Sequence, residues 1–256
     1  MPFFRKWARR RTLERRAIPD PLWQSVTGRM PFLSGMSADE AQRLRELATL
    51  FLAEKELHGA AGFELTDEMR VAIAAQACLP ILNLGLDCYG GWVGVVVYPG
   101  EFRVRREEMD ESGVMHEWLD ELSGEAFPGG PVVLSWEDID LHDSGYNVVI
   151  HEFAHKLDAL SGDADGMPPA PAGIPESDWR ECLKRHYEDF CAWADSHETL
   201  LFDEYAAEHP AEFFAVMSEA FFTEPQQLNG VYPELYDALQ AFYRQDPLAR
   251  LENEPT

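Results

Sequence analysis

Apolar residues fall three and four apart early in the chain, then consecutively or in alternation, then three and four apart again. Ala41, Leu44, Leu47, Ala48 and Phe51 follow the period of one helix face. Ser37-Ala38-Asp39-Glu40 just before them has the form of a capping box, in which Ser and Glu side chains satisfy the first free amides. Phe63 to Leu65 reads as a short strand, after which Thr66 caps a second helix from Asp67 to Leu84 that closes at Gly85. The run WVGVVVY, Trp92 to Tyr98, is β-branched and apolar, as suits a central strand. Phe102 to Arg106 and Val132 to Trp136 read as further strands, with a glycine- and acid-rich loop through Pro128-Gly129-Gly130 between them.

Helical spacing resumes from Tyr146 to Leu160, in a helix expected to begin near Asp143 or Ser144 and to stop at Gly162. Ser161 to Glu176 (SGDADGMPPAPAGIPE) holds too much Gly and Pro for regular structure and is expected as an exposed loop near the site. Trp179, Cys182, Leu183, Tyr187, Phe190, Cys191 and Ala194 mark another amphipathic helix. Pro210 suits the first turn of a helix running to about Phe222, and a last helix spans Pro233 to Arg244. Helices, then a small sheet, then helices again make the expected fold class α+β.

Inside the Tyr146–Leu160 stretch stands His151-Glu152-Phe153-Ala154-His155, an H-E-x-x-H run. On a helix the two histidines share a face one turn apart, where both imidazoles can reach one zinc ion. Glu152 projects beside them, placed to take a proton from a water activated there. Val148, Val149, Ile150, Phe153, Ala154 and Leu157 surround the motif, and an apolar helix does not carry two His and a Glu inside without partners for them.

A catalytic zinc commonly has three protein ligands, so a third group is needed. Asp158 lies on the motif face but about 10 Å along the axis from His151, at 1.5 Å per residue. A role as outer partner of His155 suits it better. Glu212 and Glu219 both lie on the helix that opens at Pro210, seven apart and on one face. A glutamate pointing inward from so apolar a helix needs a counter-charge. Spacing alone does not choose between them.

The chain of 256 residues has 46% hydrophobic residues and a net charge of −25. Residues 1–16 carry seven Arg or Lys against one Glu, which leaves 14 basic and 45 acidic residues, or −31, in the remainder. Such a body repels nucleic-acid phosphates. Residues 1–20 are expected as a flexible basic tail and 21–250 as a single domain. The tail lacks the apolar segment and cleavage site of a secretory signal. No run of 18 apolar residues suggests a membrane span, and the four cysteines form no C-x-x-C pair. A cytoplasmic location with reduced thiols is expected.

The runs AIAAQACLPILNLGL, YGGWVGVVVYPGEF, VVLSWEDI, VVIHEFAHKLDALSG and PAEFFAVMSEAFF resemble the Mlc titration factor A family of bacterial zinc peptidases, over nearly the whole length. The resemblance implies a zincin-like metallopeptidase core, with one zinc held by His151, His155 and Glu212 and with Glu152 as general base. A tyrosine seven residues before that glutamate corresponds to Tyr205. The family's core also resembles that of anthrax lethal factor, which has the same Tyr-to-Glu spacing. From this follow an expected aminopeptidase activity on peptides and a hydrogen bond from the Tyr205 hydroxyl to the oxyanion of the reaction. A second expected role, of a different class, is binding of a Mlc-like transcriptional repressor that controls glucose phosphotransferase genes. Val132 to Trp136 is expected as the sheet edge beside the cleft, where an extended peptide can add through main-chain hydrogen bonds. The acidic stretch Glu107 to Glu125 is read as a solvated face.

Overall fold

The computed structural model describes residues 2–109, 115–127, 129–139, 146–196 and 200–251. Helix α1 spans Pro2–Arg16, α2 Asp20–Thr27 and α3 Ala38–Glu54; β1 is Glu56–Gly59 and α4 is Asp67–Cys78. Strands β2 (Gly94–Tyr98), β3 (Phe102–Met109), β4 (Met115–Leu122), β5 (Gly124–Ala126) and β6 (Val132–Ser135) follow, then the single turn α5 (Trp136–Ile139). The remaining elements among the described residues are helices: α6 (Val148–Asp158), α7 (Glu176–Asp195), α8 (Pro210–Thr223), α9 (Pro225–Val231), α10 (Pro233–Tyr243) and α11 (Pro247–Leu251). The class is mixed α+β.

Four strands form one sheet in the order β1-β2-β6-β5, while β3 and β4 make a separate antiparallel ribbon. β1, β2 and β6 run parallel, and β5 lies antiparallel outside β6, with Gly124 opposite Leu134 and Ala126 opposite Val132. Val132–Ser135 is therefore an interior strand. The expectation that it forms the sheet edge is corrected: β5 is the edge on that side. Val95, Val97, Val132 and Leu134 are fully buried on the face toward the helices, as the period of two requires.

Both helix starts read from capping signals form. The Ser37 hydroxyl accepts from the Glu40 amide and the Glu40 carboxylate accepts from the Ser37 amide, while Thr66 accepts from the Met69 amide at 3.2 Å. α4 stops at Cys78 rather than Leu84, because Pro80 cannot continue an α-helix. Phe63–Leu65 is not a strand; its place in the sheet goes to Glu56–Gly59, which pairs with β2. The loop expected around Pro128–Gly130 contains β4 and β5, and Pro128 itself lies outside the described residues. Residues 2–16, expected as a flexible tail, form α1 against α3, with Arg9 paired to Glu54 at 2.8 Å and to Asp87 at 2.7 Å.

The motif helix is the axis of the core. Every residue of α6 is buried, and Phe153 joins Phe51, Tyr89 and Trp92 in a cluster with ring centres 5.1–6.5 Å apart. Each such ring buried contributes about 1.5–3 kcal/mol relative to exposure. Helix α8, rich in phenylalanine, packs along α6 and buries Phe213, Phe214, Phe221 and Phe222. Among the described residues no helix is long and apolar enough to cross a membrane.

Candidate active site

Asn147 starts the motif helix. Its side-chain oxygen accepts from the Ile150 amide at 2.9 Å, and its side-chain amide donates to Gln76 at 2.8 Å. The start expected near Asp143 or Ser144 lies outside the described residues. The next turn carries His151 and His155, with ring centres 5.0 Å apart. Across from them, α8 begins at Pro210, and the His209 ring caps it by accepting from the Ala211 amide at 3.1 Å. That turn aims Glu212 at the imidazoles. Its Oε2 lies 3.1 Å from Nε2 of His151 and 3.2 Å from Nε2 of His155.

The ligand atoms of His151, His155 and Glu212 all lie within 4.8 Å of one another. An ion about 2.0–2.2 Å from each fits such a spacing, and two imidazole nitrogens with one carboxylate oxygen are donors zinc accepts. Glu152 is buried beside them, and its Oε2 has no hydrogen-bond partner among the described residues. An uncompensated buried carboxylate oxygen is costly, so it fits a place where a cation and a water belong.

Glu219 takes a different position. Its Oε1 accepts from the Asn147 amide at 2.5 Å and its Oε2 lies 3.4 Å from Nδ1 of His151, on the ring edge away from Glu212. Asp158, expected beside His155, instead accepts from the backbone amide of Gly166 at 2.6 Å. That contact folds the Gly- and Pro-rich segment back on the helix. Gly166, Pro168 and Pro171 are buried, and Trp179 donates to the Pro168 carbonyl at 2.7 Å. The segment is thus partly built into the core, not wholly exposed.

Tyr205 sits in a short turn, Glu204–Ala207, whose start Asp203 caps by accepting from the Tyr205 amide at 3.0 Å. Its ring centre is 6.2 Å from that of His151, and 40% of the residue is exposed. One cleft of 560 Å³ is lined by Gly124, Glu125 and Ala126 of β5 together with Tyr146, His151, Glu152, His155, Tyr205 and Glu212. Reading the sequence missed Glu219 as a partner of His151 and missed β5 as a wall of the cleft.

The charges are strongly coupled. Burial alone would lower the His151 imidazole, but hydrogen bonds to Glu212 and Glu219 reverse this and raise it to about 10. Burial raises Glu212 too, yet the two imidazoles outweigh it and hold the carboxyl well below the usual range. For Glu152 burial wins: its pKa is raised, although both histidines oppose the shift.

The glucose-regulated metallo-peptidase M90 family matches residues 4–244. Similar proteins include Mlc titration factor A of Pectobacterium atrosepticum, 40% identical over 237 residues that cover 90% of this chain and 88% of that protein. The protein of that name from Serratia proteamaculans is 39% identical over 235 residues, 90% of this chain and 89% of its own. That from Shigella sonnei is 38% identical over 254 residues, 96% and 93% of the two chains. With a family match over nearly the full length and relatives this similar throughout, the chain belongs to the glucose-regulated metallo-peptidase M90 family.

Proposed function

We propose that this metallopeptidase is a zinc-dependent aminopeptidase in which His151, His155 and Glu212 hold one zinc, Glu152 is the general base and Tyr205 assists. The observation that carries the reading is the cluster of those three groups beside a buried carboxylate oxygen that has no hydrogen-bond partner among the described residues, all in a single cleft. Residues 21–250 are read as one zincin-like peptidase domain. Zinc bound there supplies Lewis acidity, which draws the pKa of a water toward neutrality and polarises the scissile carbonyl. Glu152 accepts the proton of the attacking water and passes it to the leaving amine. The Tyr205 hydroxyl donates to the oxyanion as charge develops. The β5 edge offers main-chain groups to an extended peptide.

A second reading rests on the name of the relatives, Mlc titration factor A: the chain also binds a repressor of the Mlc type, in the cytoplasm. Glu152→Gln separates the two. Peptidase function predicts hydrolysis lower by about 10²–10⁴-fold with zinc retained, while repressor binding survives the change. The direct test is metal content together with hydrolysis of aminoacyl-anilides before and after chelation. Hydrolysis undiminished after complete metal removal would refute the zinc mechanism.

A further inference from the structure

Glu152 and Lys156 are one turn apart on α6 and share a face, and the β5–β6 hairpin covers that face. At the strand end, Gly124 lies directly against Glu152: a Cβ there would come within 2.7 Å of its Cδ and Cγ, and nearer still to its Oε1. At the turn end, Nζ of Lys156 donates to the carbonyl oxygens of Phe127 at 2.6 Å and of Gly130 at 2.9 Å. The same ammonium lies 5.0 Å from the centre of the Trp92 ring, which Lys55 approaches to 3.8 Å. Lys156 is buried, and a buried ammonium is kept only where fixed acceptors replace its water.

The strand so held is only three residues long and, among the described residues, pairs with β6 alone. A ladder that short has little stability of its own. Yet it forms the edge of the sheet and lines the cleft. We propose that Gly124 and Lys156 are positioning residues that clamp the β5 edge onto the Glu152 face of the motif helix, holding an extended peptide in register with the His151–His155–Glu212 group. Lys156 acts by tying down the turn. Gly124 acts by having no side chain, because a methyl group there displaces the carboxylate, the movable partner, rather than the ladder. The inference rests on the peptidase reading, but the clamp has a readout of its own.

The test uses Lys156→Met, Lys156→Arg and Gly124→Ala in the full chain. For Lys156→Met, amide hydrogen exchange across residues 124–134 speeds up. On a hexapeptide, which needs the strand, kcat/KM falls about tenfold more than on an aminoacyl-anilide, which does not. Lys156→Arg, whose guanidinium still donates to both carbonyls, restores exchange protection and the hexapeptide rate. In Gly124→Ala, kcat falls on both substrates while KM and zinc content hold. Unchanged exchange in Lys156→Met, an equal loss on both substrates, or a wild-type kcat in Gly124→Ala overturns the clamp. If Lys156→Met does not fold, Gly124→Ala decides. Zinc-loaded wild-type protein inert on both substrates would remove the peptidase reading, and hydrogen exchange would then judge the clamp alone.

Discussion

Nδ1 of His151 lies 3.4 Å from Oε2 of Glu219, while Oε1 of the same carboxylate accepts from the Asn147 amide at 2.5 Å. One buried glutamate thus joins the ring to the start of its own helix. It fixes which nitrogen faces the cleft, because a ring whose Nδ1 is engaged presents Nε2 to Glu212. A carboxylate behind a metal-binding histidine also raises its basicity. Glu219→Gln is expected to weaken zinc binding by about 10–100-fold while leaving the three ligands in place. Glu212→Ala removes one of the proposed ligands and is expected to weaken it further. Competition with a chromophoric chelator measures both, and equal affinities for wild type and Glu219→Gln would refute the role of Glu219.

Zinc uptake should release protons at neutral pH. Without metal, burial works to lower the His151 pKa, but Glu212 and Glu219 hold it at about 10, so the ring is protonated at pH 7. A zinc ligand must be neutral. Binding then expels about one proton from this ring, and affinity climbs with pH until the ring titrates by itself. Calorimetry of zinc binding in buffers of different ionisation enthalpy gives the number directly. A value of zero at pH 7 would contradict the paired state of His151.

Removing the Tyr205 hydroxyl tests its assigned role apart from metal binding. Tyr205→Phe keeps the ring against His151 and leaves the three ligands untouched. Loss of one oxyanion donor typically lowers kcat by about 10²–10³-fold. The expected pattern is that fall in kcat, with KM and zinc content near those of wild type. A variant as fast as wild type would leave Tyr205 as a partly exposed aromatic and nothing more.

What the sequence made legible was what its residues decide within a few positions. Ser37 with Glu40, and Thr66 ahead of Asp67, start helices through contacts inside one turn. His151 and His155 face one way because a single helix carries both. Glu212 and Glu219 could not be told apart by spacing, since seven residues return to the same face; only the packing of α8 on α6 sets one at Nε2 and the other at Nδ1. β5 was illegible for a similar reason. Gly124-Glu125-Ala126 has no strand propensity, and it is extended because β6 lies beside it. α1 looked like a loose tail because the acids that hold Arg9, Glu54 and Asp87, stand far along the chain. Phe63–Leu65 showed an alternation too short to mean anything.

Asp158 should make stability depend on pH in the direction opposite to an ordinary paired carboxylate. It is fully buried, its Oδ1 has no hydrogen-bond partner among the described residues, and burial raises its pKa from 3.8 to about 7, against the pull of the Gly166 amide. The folded state therefore holds a proton that the unfolded chain gives up between those two values. Its contribution is complete below pH 3.8, shrinks as pH rises, and is gone above about 7. A shift of that size corresponds to roughly 4 kcal/mol at most, at 1.36 kcal/mol per pH unit. The position matters because Gly166, held by Asp158, also lies against Pro210: a Cβ on Gly166 would come within 2.8 Å of the proline Cβ. The contact thus links the end of α6 to the first turn of α8, two residues before Glu212. Asp158→Asn cannot ionise, so the stability of wild type relative to this variant should fall from about pH 4 to about pH 7 and level off above that. Urea unfolding of the metal-free proteins across that range measures the difference. A constant difference would mean that burial does not raise the Asp158 carboxyl into that range.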